Sequence, residues 1–326
     1  MRLLVTGGAG FIGSNFIHYM RRKRPSYLLV NVDSLTYAGN LDNLSGVETS
    51  EAYRFVEADI SDLAVMEPLF KENFDVIINF AAESHVDRSI EDPGTFVRTN
   101  VGGTQTLLDL ARKYKVPKFL QISTDEVYGT LGEEGLFNEE TPLLPNSPYS
   151  ASKAGADMLV RAYHETYGMH VNITRCSNNY GPYQFPEKLI PLMITRALRN
   201  EPLPVYGDGL NIRDWLHVED HCRAVDLVLH HGRKGEVYNV GGNNERTNLQ
   251  VVETILRELG KPESLIRHVE DRLGHDRRYA IDATKIRNEL GWQPQYDYDS
   301  GIKQTIQWYL ANPDWLKRIA TGEYRK

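Results

Sequence analysis

Along the first half of the chain the residues run in a repeating order: a short apolar stretch, a turn, then an apolar stripe at helical spacing. "RLLVT" has strand length and breaks into glycine, and a helical pattern follows in "FIGSNFIHYM". "YLLVNVD" is a second apolar run ending in Asp33. "YRFVEADI" predicts a strand ending at Asp59 and Ile60, "LAVMEPLFKENF" a helix and "DVIINFAA" a buried strand. "TNVGGTQTLLDLARKY" predicts a helix and "KFLQIS" another strand. Strands separated by helices build βαβ units and a parallel sheet, whose ligands bind beyond the carboxyl ends of the strands. Ala81, Ala82, Ser123 and Thr124 fall at such ends.

After "CSNNYGPYQ" the alternation weakens and prolines and polar loops become frequent. "EKLIPLMITRALRN" and "LQVVETILRELG" predict helices, "PLPVYGDG" and "VYNVGG" short strands bounded by turns. The expected fold is a Rossmann-type, doubly wound parallel α/β sheet with a smaller α/β substrate-binding domain closing over it. "VYNVGG" is expected to return to the sheet, which makes the partition discontinuous: 1–177 with about 214–243 in one domain, about 178–213 with 244–326 in the other.

Composition narrows the function classes. A net charge of -7 lacks the basic balance of a nucleic-acid-binding chain. The "RRKR" cluster at Arg21–Arg24 reads as the solvated end of a helix, where positive charge suits the dipole. The two cysteines, Cys176 and Cys222, have no metal-like spacing and read as buried thiols in a reducing compartment; no metal site is expected. "MRLLVTGG" turns to glycine too early for a signal peptide, and no apolar run approaches the roughly 20 residues that span a bilayer. A cytoplasmic protein that binds neither membrane nor nucleic acid is the expectation.

Candidate chemistry begins at the first turn. Gly7, Gly10 and Gly13 have the spacing that lets backbone N–H groups and a helix N-terminus approach a pyrophosphate. Asp33 follows Gly13 by twenty residues, where a carboxylate holds ribose hydroxyls and repels a 2′-phosphate, favouring NAD over NADP. Tyr149 and Lys153 lie four apart, one turn along one helical face. A lysine ammonium beside a tyrosine, with the positive ring of NAD⁺, is expected to lower a phenol pKa that is ordinarily near 10, so that phenolate can take a hydroxyl proton as hydride leaves the same carbon. "STDE" then sets Thr124, Asp125 and Glu126 side by side at a strand end. Simple dehydrogenation needs no such acid pair. A pair capping the following loop is the bland alternative.

Taken together, "TGGAGFIGSN", "DSLTYAGN", "FAAESHVDRSI", "STDEVYG", "SPYSASKA", "RCSNNYGPYQFPEKLIPL", "GDGLNIRDWLHVEDHCRA" and "GHDRRYAID" resemble the extended short-chain dehydrogenase/reductases that act on nucleotide sugars, and more narrowly the dTDP-glucose 4,6-dehydratases. The resemblance implies oxidation at C4 of the glucose ring with bound NAD, loss of water across C5–C6 and return of hydride to C6. It makes Glu126 the base at C5 and Asp125 the acid at C6, with Thr124 near O4 beside Tyr149. It implies an NAD site of Gly7, Gly10, Phe11, Ile12, Gly13, Asp33, Ser34, Leu35, Thr36, Asp59, Ile60, Phe80, Ala81, Ala82, Glu83, Thr99, Tyr149, Lys153 and Asn179. Substrate contacts implied are Ser84, Thr124, Asn178, Lys188, Leu189, Pro204, Val205, Tyr206, Arg213, Asn248, His275, Asp276, Arg277, Arg278 and Tyr279, the arginines offering paired donors to phosphate oxygens. His85 reads as structural. A homodimer through the helix of "TNVGGTQTLLDLARKY" and the one starting at Tyr149 is also implied. Leu273 stands where the family commonly has proline, and the loop between Gly129 and Thr141 is short. Two rival readings are a nucleotide-sugar 4-epimerase, which shares the hydride step but has no use for the acid pair, and a non-catalytic NAD sensor, which needs neither Tyr149, Lys153 nor the acids.

Overall fold

The computed structural model describes residues 1–271 and 273–325. Seven strands form one sheet: β1 (Arg2–Thr6), β2 (Leu28–Asp33), β3 (Tyr53–Glu57), β4 (Val76–Asn79), β5 (Lys118–Thr124), β6 (Val171–Cys176) and, further along, Val237–Val240. Numbering the intervening strands β7 (Asn178–Tyr180), β8 (Leu203–Tyr206) and β9 (Ile212–His217) makes that last strand β10. The order is β10-β6-β5-β4-β1-β2-β3, and every neighbour pair is parallel. The order reverses at β1, and the crevice above that switch point is where open α/β sheets bind ligands.

Helices cover both faces, which is why β4, β5 and β6 read as continuous apolar runs. On one face Phe16, Ile17 and Met20 of helix Phe11–Lys23 meet Val225 and Leu229 of helix Val218–His231. On the other Met66, Phe70, Leu107 and Val160 pack from helices Leu63–Phe70, Thr104–Lys113 and Pro148–Tyr167. The first of these helices ends in Arg21, Arg22 and Lys23, as the charge argument expects.

A separate apolar cluster gathers Ile190, Ile194, Val252, Ile255, Ile302 and Ile306, from helices Leu189–Leu198, Asn248–Glu258 and Tyr298–Ala311. Two small sheets lie with it: β11 (Glu245–Thr247) pairs with β9, which pairs with β7, and β12 (Ile266–Val269) pairs with β8. Within the stretch 244–326, expected on the smaller domain, Ala283, Ile286 and Trp292 instead pack in the cluster under the large sheet. Trp292 is drawn there by the bond from its indole N–H to the Asp220 carbonyl, 3.0 Å.

Two element boundaries differ from the pattern. β3 ends at Glu57, which leaves Asp59 and Ile60 in the turn after it. The expected helix from Thr99 opens as a π-helical segment, Val97–Gly103, before regular α-helix from Thr104. Hydrophobic spacing cannot reveal that wider turn, which aims Thr99 into the crevice and Asn100 back at its wall. Among the described residues no helix is long and apolar enough to cross a membrane.

Candidate active site

The glycine turn joins β1 to its helix. Gly7 adopts φ +72, and a Cβ there would meet the Ala81 nitrogen at 2.5 Å. A Cβ on Gly13 would overlap the Gly7 carbonyl and stand 2.8 Å from Gly8 Cα. Gly10 faces nothing nearer than the Gly7 oxygen at 3.3 Å, so this is where a ligand can approach the backbone. No side chain caps this helix, and its leading N–H groups stay available to an anion. Gly13→Ala should therefore displace the turn rather than merely crowd it. We expect purified protein with little bound dinucleotide and a melting temperature several degrees lower, read by absorbance and calorimetry.

Asp33 ends β2, and its carboxylate accepts backbone N–H groups of Ala9 and Leu35, both at 2.9 Å. Burial raises its pKa and these two donors oppose the shift. The arrangement fixes both oxygens, and Gly39 sits so close that a Cβ would stand 2.9 Å from Oδ1.

A cavity of about 360 Å³ opens over the sheet. Of the expected NAD set, Gly7, Gly10, Phe11, Ile12, Gly13, Asp33, Ser34, Thr36, Asp59, Ile60, Phe80, Ala81, Ala82, Glu83, Thr99, Tyr149, Lys153 and Asn179 line it. Leu35 does not; it takes φ +49 and turns the chain beneath Asp33. Of the expected sugar-side set, Ser84, Thr124, Asp125, Glu126, Asn178 and Lys188 line the same cavity. The glycine turn, the Asp33 carboxylate and Tyr149–Lys153 thus share one cavity. Within it Ser123 Oγ and Asp125 Oδ2 are buried without a hydrogen-bond partner among the described residues. These residues fit an NAD.

At the end of β5 the two acids differ in setting. Asp125 is 1% exposed, and burial raises its pKa well above the carboxylate range, with Glu126 and Asp214 adding to the shift. Glu126 is less deeply placed. Burial disfavours the charged form of Asp125 more than proximity in sequence alone would suggest. A carboxyl whose folded pKa is raised binds more protons folded than unfolded, so it costs stability as pH climbs from its unfolded value towards its folded one. Asp125→Asn should melt a few degrees higher than the parent at pH 7 to 8 and show little difference near pH 4, by thermal melts across that range.

Tyr149 hydrogen-bonds Thr124, and its ring stands edge-on to Phe96 at 6.3 Å. Its pKa is raised well above 10, by burial first and then by Glu126; the lowering expected from the sequence also invokes the positive ring of NAD⁺. The Lys153 ammonium instead donates to the Ile122 carbonyl at 2.7 Å, its own pKa lowered by burial. Cys176 also lines the cavity, but burial pushes its thiol up to about 12, which leaves it unreactive.

The remaining expected contacts gather outside that cavity's lining, along β8 and β9. Arg213 donates to the Asp276 carbonyl at 2.9 Å and lies over the Tyr279 ring at 4.2 Å. Its charge reaches Asp125 and Tyr279, so the two regions adjoin. Asn248 N–H donates to the Asn211 carbonyl, whose own side chain donates to Asp276. His275 pairs with Asp271 at 2.6 Å and stands edge-on to Tyr206 at 6.3 Å, on the strand carrying Pro204 and Val205. The expected basic pair is engaged by acids: Arg278 holds Glu245 through two bonds at 2.8 and 3.0 Å, and the exposed Arg277 holds Asp208. Leu189 begins the helix after Lys188, whose ammonium donates to the Ser84 carbonyl at 2.9 Å. His85 caps helix Val86–Glu91, in keeping with a structural part. Leu273 is 78% exposed, so losing proline there disturbs no packed contact.

Several lining residues escaped the sequence reading. Tyr37, Gly39, Gln184 and Phe185 fall inside the distinctive stretches "DSLTYAGN" and "YGPYQFPEK", which was the available signal. Behind the lining, Asn100 gave no signal: it brackets Glu83 with bonds of 2.9 and 3.0 Å and donates to Ser152, whose hydroxyl donates to the Tyr149 carbonyl.

The family model described as GDP-mannose 4,6 dehydratase matches residues 4–305. A dTDP-glucose 4,6-dehydratase of Xanthomonas campestris pv. campestris (strain B100) is 56% identical, over 99% of this chain and 97% of its own. The crystal structure of the Bacillus anthracis dTDP-glucose 4,6-dehydratase in complex with NAD is 56% identical, with TM-score 0.92 over 98% of this chain and 99% of that one. The Streptomyces venezuelae dTDP-glucose 4,6-dehydratase with NAD and TYD bound is 50% identical, with TM-score 0.94 over 98% of this chain and all of the other. With a seven-stranded parallel sheet, a glycine turn facing a carboxylate, and Tyr149 sharing a cavity with an acid pair, this chain belongs to the dTDP-glucose 4,6-dehydratase family.

Proposed function

We propose that the protein is an NAD-dependent hydro-lyase that converts dTDP-glucose to the 4-keto-6-deoxy sugar nucleotide, a step of deoxysugar biosynthesis. The observation that carries this reading is the unequal acid pair: a deeply buried Asp125, its pKa raised, beside the less buried Glu126, in the same cavity as Tyr149. Bound NAD supplies an acceptor and donor of hydride, and it is regenerated in each cycle. Tyr149, as the phenolate that the positive ring of bound NAD⁺ and the Lys153 ammonium would favour, takes the proton from the C4 hydroxyl while Thr124 holds that oxygen. The resulting carbonyl acidifies C5–H. Glu126 removes that proton, Asp125 protonates the C6 hydroxyl, and water leaves. The unequal burial of the two acids supports this division, since an acid and a base of like chemistry must hold different protonation at one pH.

Asn178, Lys188 and the Arg213–Tyr279 region extend from the acid pair and are the proposed seat of the nucleotide diphosphate. The discontinuous partition into NAD-binding and sugar-nucleotide-binding domains goes with this, segment 281–292 belonging with the sheet. Val97, Met158 and Tyr167 are exposed on the paired helices and support a homodimer through that face; light scattering tests it. Two free, buried cysteines are in keeping with a cytoplasmic location.

The test is incubation of purified protein with dTDP-glucose and no added NAD, followed by mass spectrometry. Loss of one water without net NADH is the expected result. An unchanged mass with galactose formed would establish an epimerase instead, and no reaction even with NAD supplied would overturn the nucleotide-sugar assignment.

A further inference from the structure

The C-terminal segment is bonded to the cofactor side of the molecule at three points. Trp315 Nε1–H donates to Asn43 Oδ1 at 2.9 Å, Arg318 meets Asp42 at 2.6 Å, and the Tyr324 hydroxyl donates to the Tyr37 carbonyl at 2.6 Å. These contacts join parts of the chain more than 270 positions apart. Their target is the loop following Asp33, whose Tyr37 and Gly39 line the dinucleotide cavity.

Asn43 is the pivot. It is 2% exposed, and while its oxygen accepts from Trp315, its Nδ2–H donates to the Ala9 carbonyl at 2.9 Å. Ala9 lies within the glycine turn, and its N–H donates to Asp33 Oδ2 at 2.9 Å. One chain of hydrogen bonds therefore runs from Trp315 through Asn43 and Ala9 to the ribose-binding carboxylate. An amide is needed at the pivot, because it must accept on one atom and donate on the other. Tyr324 acts at the loop's other end and packs edge-on to Phe185, which also lines the cavity, at 6.0 Å.

We infer that Asn43, Trp315 and Tyr324 are positioning residues of a C-terminal clasp that retains the dinucleotide between turnovers. The inference rests on the NAD reading proposed above. A cofactor that must survive each cycle without exchange needs the turn and the carboxylate held in one geometry.

The test uses full-length protein carrying Trp315→Phe, Tyr324→Phe, both together, or Asn43→Ala. Tyr324→Phe keeps its ring and deletes one donor; Trp315→Phe deletes the indole donor and part of the ring's bulk, which the apo-protein melt reads. NAD content after gel filtration and the NAD dissociation rate, followed by fluorescence, are measured beside apo-protein melting. Each change to phenylalanine should speed NAD loss about three- to tenfold, the double change more, and added NAD should restore the activity lost. Wild-type dissociation rates in all variants would overturn the clasp. So would variants whose only defect is a lower apo-protein melting temperature, since that is a structural role alone. If the parent itself binds no NAD, the functional reading fails first and the clasp with it.

Discussion

Glu126→Gln should lower turnover by about 10²- to 10⁴-fold while leaving the first half-reaction intact. The amide is nearly the same shape but cannot accept the C5 proton. In the proposed mechanism hydride removal from C4 depends on Tyr149 and not on Glu126, so mixing the variant with dTDP-glucose should give bound NADH, seen as nicotinamide absorbance that rises and stays. In the parent that signal should be transient or small, because elimination and hydride return follow. The variant should also make Asp125 easier to ionise, since Glu126 is among the charges that keep its proton on. Asp125→Asn is predicted to stall at the same point by a different route, by withholding the proton needed at C6. The parent's activity should fall on the alkaline side as Asp125 loses that proton, and the Asn variant should show no such limb in its residual rate. If Glu126→Gln accumulates no NADH and yet turns over poorly, Glu126 acts before the elimination and its assigned place is wrong.

The sheet was legible because its strands are buried on both faces and appear as apolar runs between helical stripes. β1, β2, β4 and β5 needed nothing else. The glycines and Asp33 were legible because their demands are local: a left-handed turn, a close approach and a fixed spacing. Asn100 and Asn43 were not, because each acts through partners far away in sequence, and a buried amide leaves no periodic trace. The pairing of Arg277 and Arg278 with Asp208 and Glu245 was hidden for the same reason. The burial and the Glu126 carboxylate that raise the Tyr149 pKa were not legible, because spacing along a helix reports only which groups on that helix are near.

Tyr149→Phe should be the most damaging single change, about 10³-fold or more, with no NADH formed on adding dTDP-glucose. In the proposed mechanism Tyr149 is the proton acceptor for the step that makes the C4 carbonyl, and without that carbonyl C5–H is not acidic. The loss therefore precedes the acids, and Glu126→Gln combined with Tyr149→Phe should be little worse than Tyr149→Phe alone. Packing should tolerate the change: the hydroxyl meets Thr124, and the ring keeps its contact with Phe96. Burial and nearby carboxylates hold the phenol protonated, so its removal relieves no buried charge and stability should move by little. The measurement is a stopped-flow trace at the nicotinamide band, with a thermal melt as control. A variant that still reduces its bound NAD at the parent's rate would move the base elsewhere. Lys153→Met separates the roles further, because the Lys153 ammonium donates to the Ile122 carbonyl rather than to the Tyr149 hydroxyl. It should slow NADH formation and raise the pH at which Tyr149 becomes competent, without abolishing the step.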